Sequence, residues 1–142
     1  MTLLNEYVSK SESDTQDIAN FFSNYIKMNS IVYIEGELGV GKTFFAKSLA
    51  KNFGISDICS STYSFVSTYS GKWNLIHCDL YRYSSTPKIV IEEIFEHLKE
   101  PWLLLIEWPN FEIPIACNCI YLVKITNSDY GKKLFKITTL ID

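Results

Sequence analysis

Ile31-Val32-Tyr33-Ile34-Glu35-Gly36-Glu37-Leu38-Gly39-Val40-Gly41-Lys42-Thr43-Phe44-Phe45-Ala46 is the stretch whose reading decides the fold. Gly36 to Thr43 satisfies the pattern G-x-x-x-x-G-K-[ST] at every fixed position, between an unbroken apolar run and a segment that reads as a helix. Glycine at 36, 39 and 41 lets the backbone turn successive N–H groups into one concavity, which side chains there would obstruct. Such a nest at the positive end of the following helix suits a di- or triphosphate. Lys42 would then reach the β- and γ-phosphates, and the Thr43 hydroxyl would ligate Mg²⁺. The expected nucleotide-binding segment is therefore Glu37, Leu38, Gly39, Val40, Gly41, Lys42, Thr43 and Phe44. A glycine-rich turn with an incidental lysine is the plainer alternative, and the strand-then-helix flanks weigh against it.

Outward from this loop, residues 31–35 read as a strand buried on both faces. The helix after the loop runs to about Asn52, and Gly54 stands where a left-handed cap is usual. Upstream, residues 3–8 suit a short strand. Ser13 with Gln16 fits a capping box for a helix over 14–27, whose Ile18, Ala19, Phe22 and Ile26 recur at helical spacing. Downstream, residues 60–69 and 73–81 are strand-like around a turn at Ser70-Gly71-Lys72, and so short a turn predicts an antiparallel pair. Thr86-Pro87 opens a helix with an apolar face of Ile89, Ile91, Ile94, Phe95 and Leu98, ended by Pro101. Residues 102–107 form a second apolar run closing on Glu107, and residues 119–125 and 133–140 alternate as a hairpin. The expected fold is α/β: a P-loop NTPase-like three-layer arrangement with a mixed sheet, parallel at its centre and extended by antiparallel hairpins.

The 142 residues suit one domain, 1–142, long enough to bury roughly 70% of its unfolded surface. A net charge of −3 argues against a protein that grips nucleic acid through its own basic surface, so any nucleic-acid role is expected to be indirect. Cys59, Cys78, Cys117 and Cys119 show neither a C-x-x-C pair nor zinc spacing, and read as reduced thiols. No signal peptide is evident, and no apolar run approaches the roughly 20 residues of a membrane span, so a cytoplasmic location is expected.

A triphosphate site needs carboxylates opposite the loop, to hold Mg²⁺ and to orient an attacking water. Asp79 and Glu107 are the candidates, each at or just past the end of an apolar strand, where open α/β sheets bind their ligands. Either could also be an ordinary strand-end acid. Residues 60–64 lie where a switch segment could reach the γ-phosphate, although hydroxyl and aromatic residues also simply make strands. His77 shares the face of Asp79 under period-two geometry, and a buried structural histidine is its plainer reading.

Taken together, Gly36 to Thr43, Ser60-Ser61-Thr62-Tyr63-Ser64, His77-Cys78-Asp79-Leu80-Tyr81-Arg82 and Glu107-Trp108-Pro109 resemble, in order and spacing, the motifs of the bacterial TsaE (formerly YjeE) family. These are the small ATPases of tRNA threonylcarbamoyladenosine synthesis. The resemblance spans about residues 15–109. It implies an ATP- and Mg²⁺-dependent partner of TsaB-like and TsaD-like proteins, whose ATP hydrolysis supports multiple turnovers of the complex, with tRNA contacted only indirectly. By matching positions it implies that Lys42 and Thr43 serve phosphate and Mg²⁺, that Asp79 serves the metal, and that Glu107 positions or activates water beside it. It also implies a switch at 60–64, a Thr15 near the nucleotide, and a Trp108 in a nucleotide-sensitive or partner-facing region. The family usually has proline where Ser61 stands, and its Leu-Gly pair after Asp-Leu-Tyr-Arg is not evident here.

A small P-loop kinase acting on a metabolite or nucleotide is the alternative. Such kinases close several arginines over the transferred phosphate, whereas Arg82 is the only arginine in this chain. A guanine-nucleotide switch would carry an Asn-Lys-x-Asp motif, and none is present. A scaffold that holds ATP only as a structural ligand is distinguished by hydrolysis.

Overall fold

The computed structural model describes residues 2–58, 66–80, 88–108 and 113–141. The expectations for the switch at 60–64, the first part of its strand, Cys59, Tyr81, Arg82, the helix opening at Thr86-Pro87 and Pro109 lie outside the described residues.

Two apolar hexapeptides build the centre. β2 (Ser30–Glu35) and β5 (Trp102–Glu107) are parallel neighbours in register from Ser30↔Leu103 to Ile34↔Glu107. Alternate side chains leave by opposite faces. Val32, Ile34, Leu103 and Leu105 enter one buried core, and Ile31, Tyr33, Leu104 and Ile106 enter another. Both faces are therefore covered, as near-continuous apolar strands require. The first core is roofed by α1 (Glu12–Ser23) and α2 (Lys42–Lys51) through Ile18, Phe22, Phe45 and Leu49. The second is roofed by α3 (Lys88–His97) through Val90 and Ile94.

The remaining strands are β1 (Thr2–Ser9), β3 (Val66–Ser70), β4 (Asn74–Asp79), β6 (Ile120–Asn127) and β7 (Lys133–Ile141). The seven strands lie in the order β1-β7-β6-β2-β5-β4-β3. β4, β5, β2 and β6 run parallel, while β3–β4, β6–β7 and β1–β7 pair antiparallel. This is the mixed three-layer α/β sheet expected from the sequence. Around the first core the aromatic rings touch in series: Phe22 lies 5.4 Å from Tyr121 edge-on and 6.4 Å from Phe45, which lies 5.4 Å from Phe135. Such pairs contribute about 0.5–1.5 kcal/mol each beyond area burial. The Tyr121 hydroxyl donates to the Tyr25 carbonyl at 2.9 Å and accepts from Lys27 N at 3.0 Å, which ties the chain after α1 to β6.

Several local expectations are corrected. Ser11, not Ser13, caps α1: its hydroxyl accepts from Asp14 N at 3.1 Å, while Asp14 Oδ2 accepts from Lys10 N at 2.8 Å. The helix accordingly starts at Glu12 and ends at Ser23, short of Lys27. α3 turns Val90 and Ile94 inward, leaving Ile89 and Phe95 exposed, because the run Ile89-Val90-Ile91 fits more than one helical face. β4 is shorter than 73–81, whereas α2 ends as expected, at Lys51 with Asn52 as its C-cap. Gly54 does take the left-handed conformation, at φ +79°.

Candidate functional site

The loop between β2 and α2 owes its shape to its glycines. Gly39 (φ +79°) and Gly41 (φ +106°) take left-handed backbone that other residues adopt only under strain. Gly36 is needed for a different reason: a Cβ there would stand 2.7 Å from the Ile125 carbonyl oxygen and 2.6 Å from Val40 Cγ1. The loop is thus seated directly on β6. Gly41 starts α2 with no side-chain cap, so the helix's first-turn N–H groups, which have no partner inside the helix, face the concavity.

Lys42 is 5% exposed and bends back into this loop, donating to the Gly36 carbonyl at 2.7 Å and the Glu37 carbonyl at 2.8 Å. Its ammonium also lies 3.8 Å from the centre of the Trp108 ring. Burial pulls its pKa below the usual lysine value, while the negative fields of Glu107 and then Asp79 oppose that shift.

The acids come from adjacent strand ends. Asp79 and Glu107 stand opposite each other in the β4–β5 register, with Asp79 exposed and Glu107 2% exposed. Thr43 Oγ1 donates to Glu107 Oε1 at 2.9 Å, and His77 Nε2 lies 2.5 Å from Glu107 Oε2. Backbone bonds gather the three strand ends: Leu80 N donates to the Glu107 carbonyl at 3.1 Å and Trp108 N to the Ile34 carbonyl at 3.1 Å. Trp108 reaches its position at φ +62°, an uncommon conformation for a bulky residue.

A cavity of about 220 Å³ is lined by Leu38, Gly39, Gly41, Lys42, Thr43, Phe44, Asp79, Glu107 and Trp108. Most of the residues singled out in the sequence meet there. Thr15 does not; it lines a second cavity of about 350 Å³, which shares Gly41 and Phe44 with the first. Its buried hydroxyl is 2.7 Å from Ser9 Oγ. Val40 buries its side chain in the core, and its carbonyl accepts from Lys133 Nζ at 2.6 Å. Glu37 and Trp108 also border a larger recess of about 660 Å³ at the ends of β2 and β6.

Two partners in this arrangement were not singled out as site residues. Lys133 sits at the start of the last strand, and nothing local to it marks contact with the loop. His77 was placed correctly on the face of Asp79, but its carboxylate partner depends on β4 lying beside β5. Of the described cysteines, Cys78, Cys117 and Cys119 are thiols outside any disulfide. Burial pushes Cys78 up to about 12 and raises Cys117 as well.

The model of the family described as threonylcarbamoyl adenosine biosynthesis protein TsaE matches residues 9–134. The chain belongs to the TsaE family. Among relatives, the tRNA threonylcarbamoyladenosine biosynthesis protein TsaE of Rickettsia bellii is 34% identical, over 97% of this chain and 98% of its own. The protein of the same name from Aquifex aeolicus is 32% identical over 93% and 96%. The crystal structure of Bacillus subtilis YdiB superposes with a TM-score of 0.77, at 21% identity, covering 99% of this chain and 88% of that one, a likeness of fold. Among the described residues, no helix of this TsaE family member is long and apolar enough to cross a membrane.

Proposed function

We propose that this TsaE family member is a Mg²⁺-dependent ATPase that acts in tRNA threonylcarbamoyladenosine synthesis, as the nucleotide-driven partner of TsaB-like and TsaD-like proteins. The observation that carries the proposal is the Thr43–Glu107 hydrogen bond across the mouth of the phosphate nest. A hydroxyl has one proton and two lone pairs. With its proton committed to Glu107, Thr43 has lone pairs left for a hard cation.

Among the described residues, no cluster of three or more His, Cys, Asp or Glu could hold a metal. An all-protein cage is not what Mg²⁺ requires: it binds through one or two carboxylates together with water and substrate phosphates. Thr43, Asp79 and Glu107 supply an oxygen set of that kind, so these residues would hold the ion. Bound there, Mg²⁺ would neutralise charge on the β- and γ-phosphates.

The chain's own groups divide the remaining work. The N–H groups of the loop and of the first turn of α2 bind phosphate oxygens. Lys42 exchanges the Gly36 and Glu37 carbonyls for the β- and γ-phosphates, recovering in the phosphate charge what burial costs its ammonium. Gly41 and Phe44 lead from the phosphate cavity into the cavity lined by Thr15, which takes the nucleoside. Glu107 accepts a hydrogen bond from the attacking water and orients it. With a net charge of −3 the protein meets tRNA through its partners.

The test is an ATPase assay of the full chain with and without the purified TsaB–TsaD pair, with Lys42→Ala as the blank. Slow hydrolysis alone, faster hydrolysis with the pair, and none by Lys42→Ala is the expected pattern. A pair that neither binds nor changes turnover would remove the partner assignment, and hydrolysis surviving in Lys42→Ala would remove the site.

A further inference from the structure

We propose that His77 is the positioning residue of Glu107: its Nε2–H fixes Oε2 of the carboxylate, so that Oε1 alone is presented to Thr43 and the phosphate cavity. The proposal rests on Glu107 acting at the reacting centre.

Both groups are almost wholly shielded from water, His77 at 4% and Glu107 at 2% exposure. A carboxylate buried to this degree has to have its oxygens satisfied. As a carboxylate it only accepts, so the ring nitrogen 2.5 Å away donates, with a proton on Nε2. The other oxygen is taken by Thr43. Glu107 is therefore held at both ends, by a strand side chain from β4 and by the first turn of α2. Without the imidazole, the carboxylate would be free to rotate about its last torsion, which is broad and intrinsically poorly fixed.

The scaffold makes the contact on purpose-built geometry. β4 and β5 are parallel and in register, with His77 opposite Leu105 and Asp79 opposite Glu107. His77, Leu105, Asp79 and Glu107 thus share one face of the sheet, the face covered by α2. His77 lies one step below Glu107 along that face, under the floor of the cavity and absent from its lining. Its hydrogen bond is to the acid, and it acts through the acid. Partners of this kind around reactive carboxylates and metal ligands typically cost 10–100-fold in activity or metal affinity when removed.

The experiment compares His77→Leu, which keeps bulk and loses the donor, with His77→Gln, whose amide restores an N–H at similar reach. ATP affinity is measured by calorimetry and kcat by steady-state hydrolysis, both on the full chain. His77→Leu is expected to lower kcat about 10–100-fold with the ATP Kd changed less than about threefold, and His77→Gln to recover most of the loss. In the nucleotide-free wild-type protein, ¹⁵N-edited NMR should show an Nε2–H proton far downfield of ordinary imidazole N–H, and this signal should vanish in Glu107→Gln. Wild-type kcat in His77→Leu, equal impairment in both His77 variants, or no such proton in the wild type would overturn the proposal. Glu107→Gln in the same assay separates the two levels: if it hydrolyses ATP normally, Glu107 itself has been misassigned, whereas its loss beside an unaffected His77→Leu refutes only the role of His77.

Discussion

Gly36→Ala is a substitution for which the structure dictates a large consequence at the loop from the smallest change in side chain. The added methyl carbon would stand 2.7 Å from the Ile125 carbonyl oxygen and 2.6 Å from Val40 Cγ1. Val40 can yield a little by moving its side chain, but Ile125 belongs to β6, which is paired with β2 on one side and β7 on the other. Ordinary contact therefore requires the loop to lift from the strand by about 0.7 Å at this point. Over-packing of this kind costs about 1–3 kcal/mol. For a domain of this size each kcal/mol lowers Tm by about 3 °C, so calorimetry should show a fall of about 3–9 °C. Catalysis should suffer more than stability, because misplacement by about 1 Å can cost 100-fold. The paired assay is scanning calorimetry and ATP titration on the same preparation. Gly39→Ala is the control for Tm alone: it meets no protein atom within 4 Å and only its φ of +79° is strained, but it lines the phosphate cavity and is no control for ATP affinity. If Gly36→Ala keeps wild-type Tm and wild-type ATP affinity, the loop is not seated on β6 as described.

Three other perturbations have defined outcomes. Lys133→Met removes the ammonium that holds the Val40 carbonyl at 2.6 Å; loss of a charged hydrogen bond should cost about 1.5 kcal/mol of stability, read by urea unfolding, with the fold intact by circular dichroism. The Cys78 thiol is raised from 9.0 to about 12 by burial first and then by Glu93 and Asp79. Its folded pKa exceeds the unfolded one, so its contribution to stability is full below pH 9.0 and is lost as pH rises towards 12, by up to about 1.4 kcal/mol per pH unit. Denaturant titrations across that window should show a steeper decline in the wild type than in Cys78→Ala. Tyr121→Phe deletes the hydroxyl that bridges Tyr25 and Lys27, and urea unfolding should show a loss of about 1–3 kcal/mol.

The centre of the fold was legible because its signals are local. β2 and β5 are unbroken apolar runs, and the loop between β2 and α2 carries its own motif. The hairpins were legible from turn residues at Gly71 and around Asn127 to Gly131. What could not be read is strand order. That β1 closes the edge beside β7, and that β6 returns to pair with β2, depends on packing between segments more than 80 residues apart. The same limit governs the site. Lys42, Thr43, Asp79 and Glu107 could be named one at a time, each from its place after a strand or within the motif. The His77–Glu107 contact and the reach of Lys133 to Val40 appear only once β4 is set beside β5 and β7 is placed near the loop. Helix detail failed where neighbouring residues offered equivalent choices, as with Ser11 against Ser13 and Val90 against its flanking isoleucines.

The assignment of Glu107 as the group that orients water is tested most directly by single-turnover hydrolysis of ATP by Glu107→Gln, with ATP affinity measured alongside. Loss of a positioned general base costs about 10²–10⁴-fold. The amide keeps an oxygen for the Thr43 hydroxyl, so ATP should still bind within about threefold of wild type while the hydrolytic rate falls by at least about 100-fold. Hydrolysis at the wild-type rate would contradict the account.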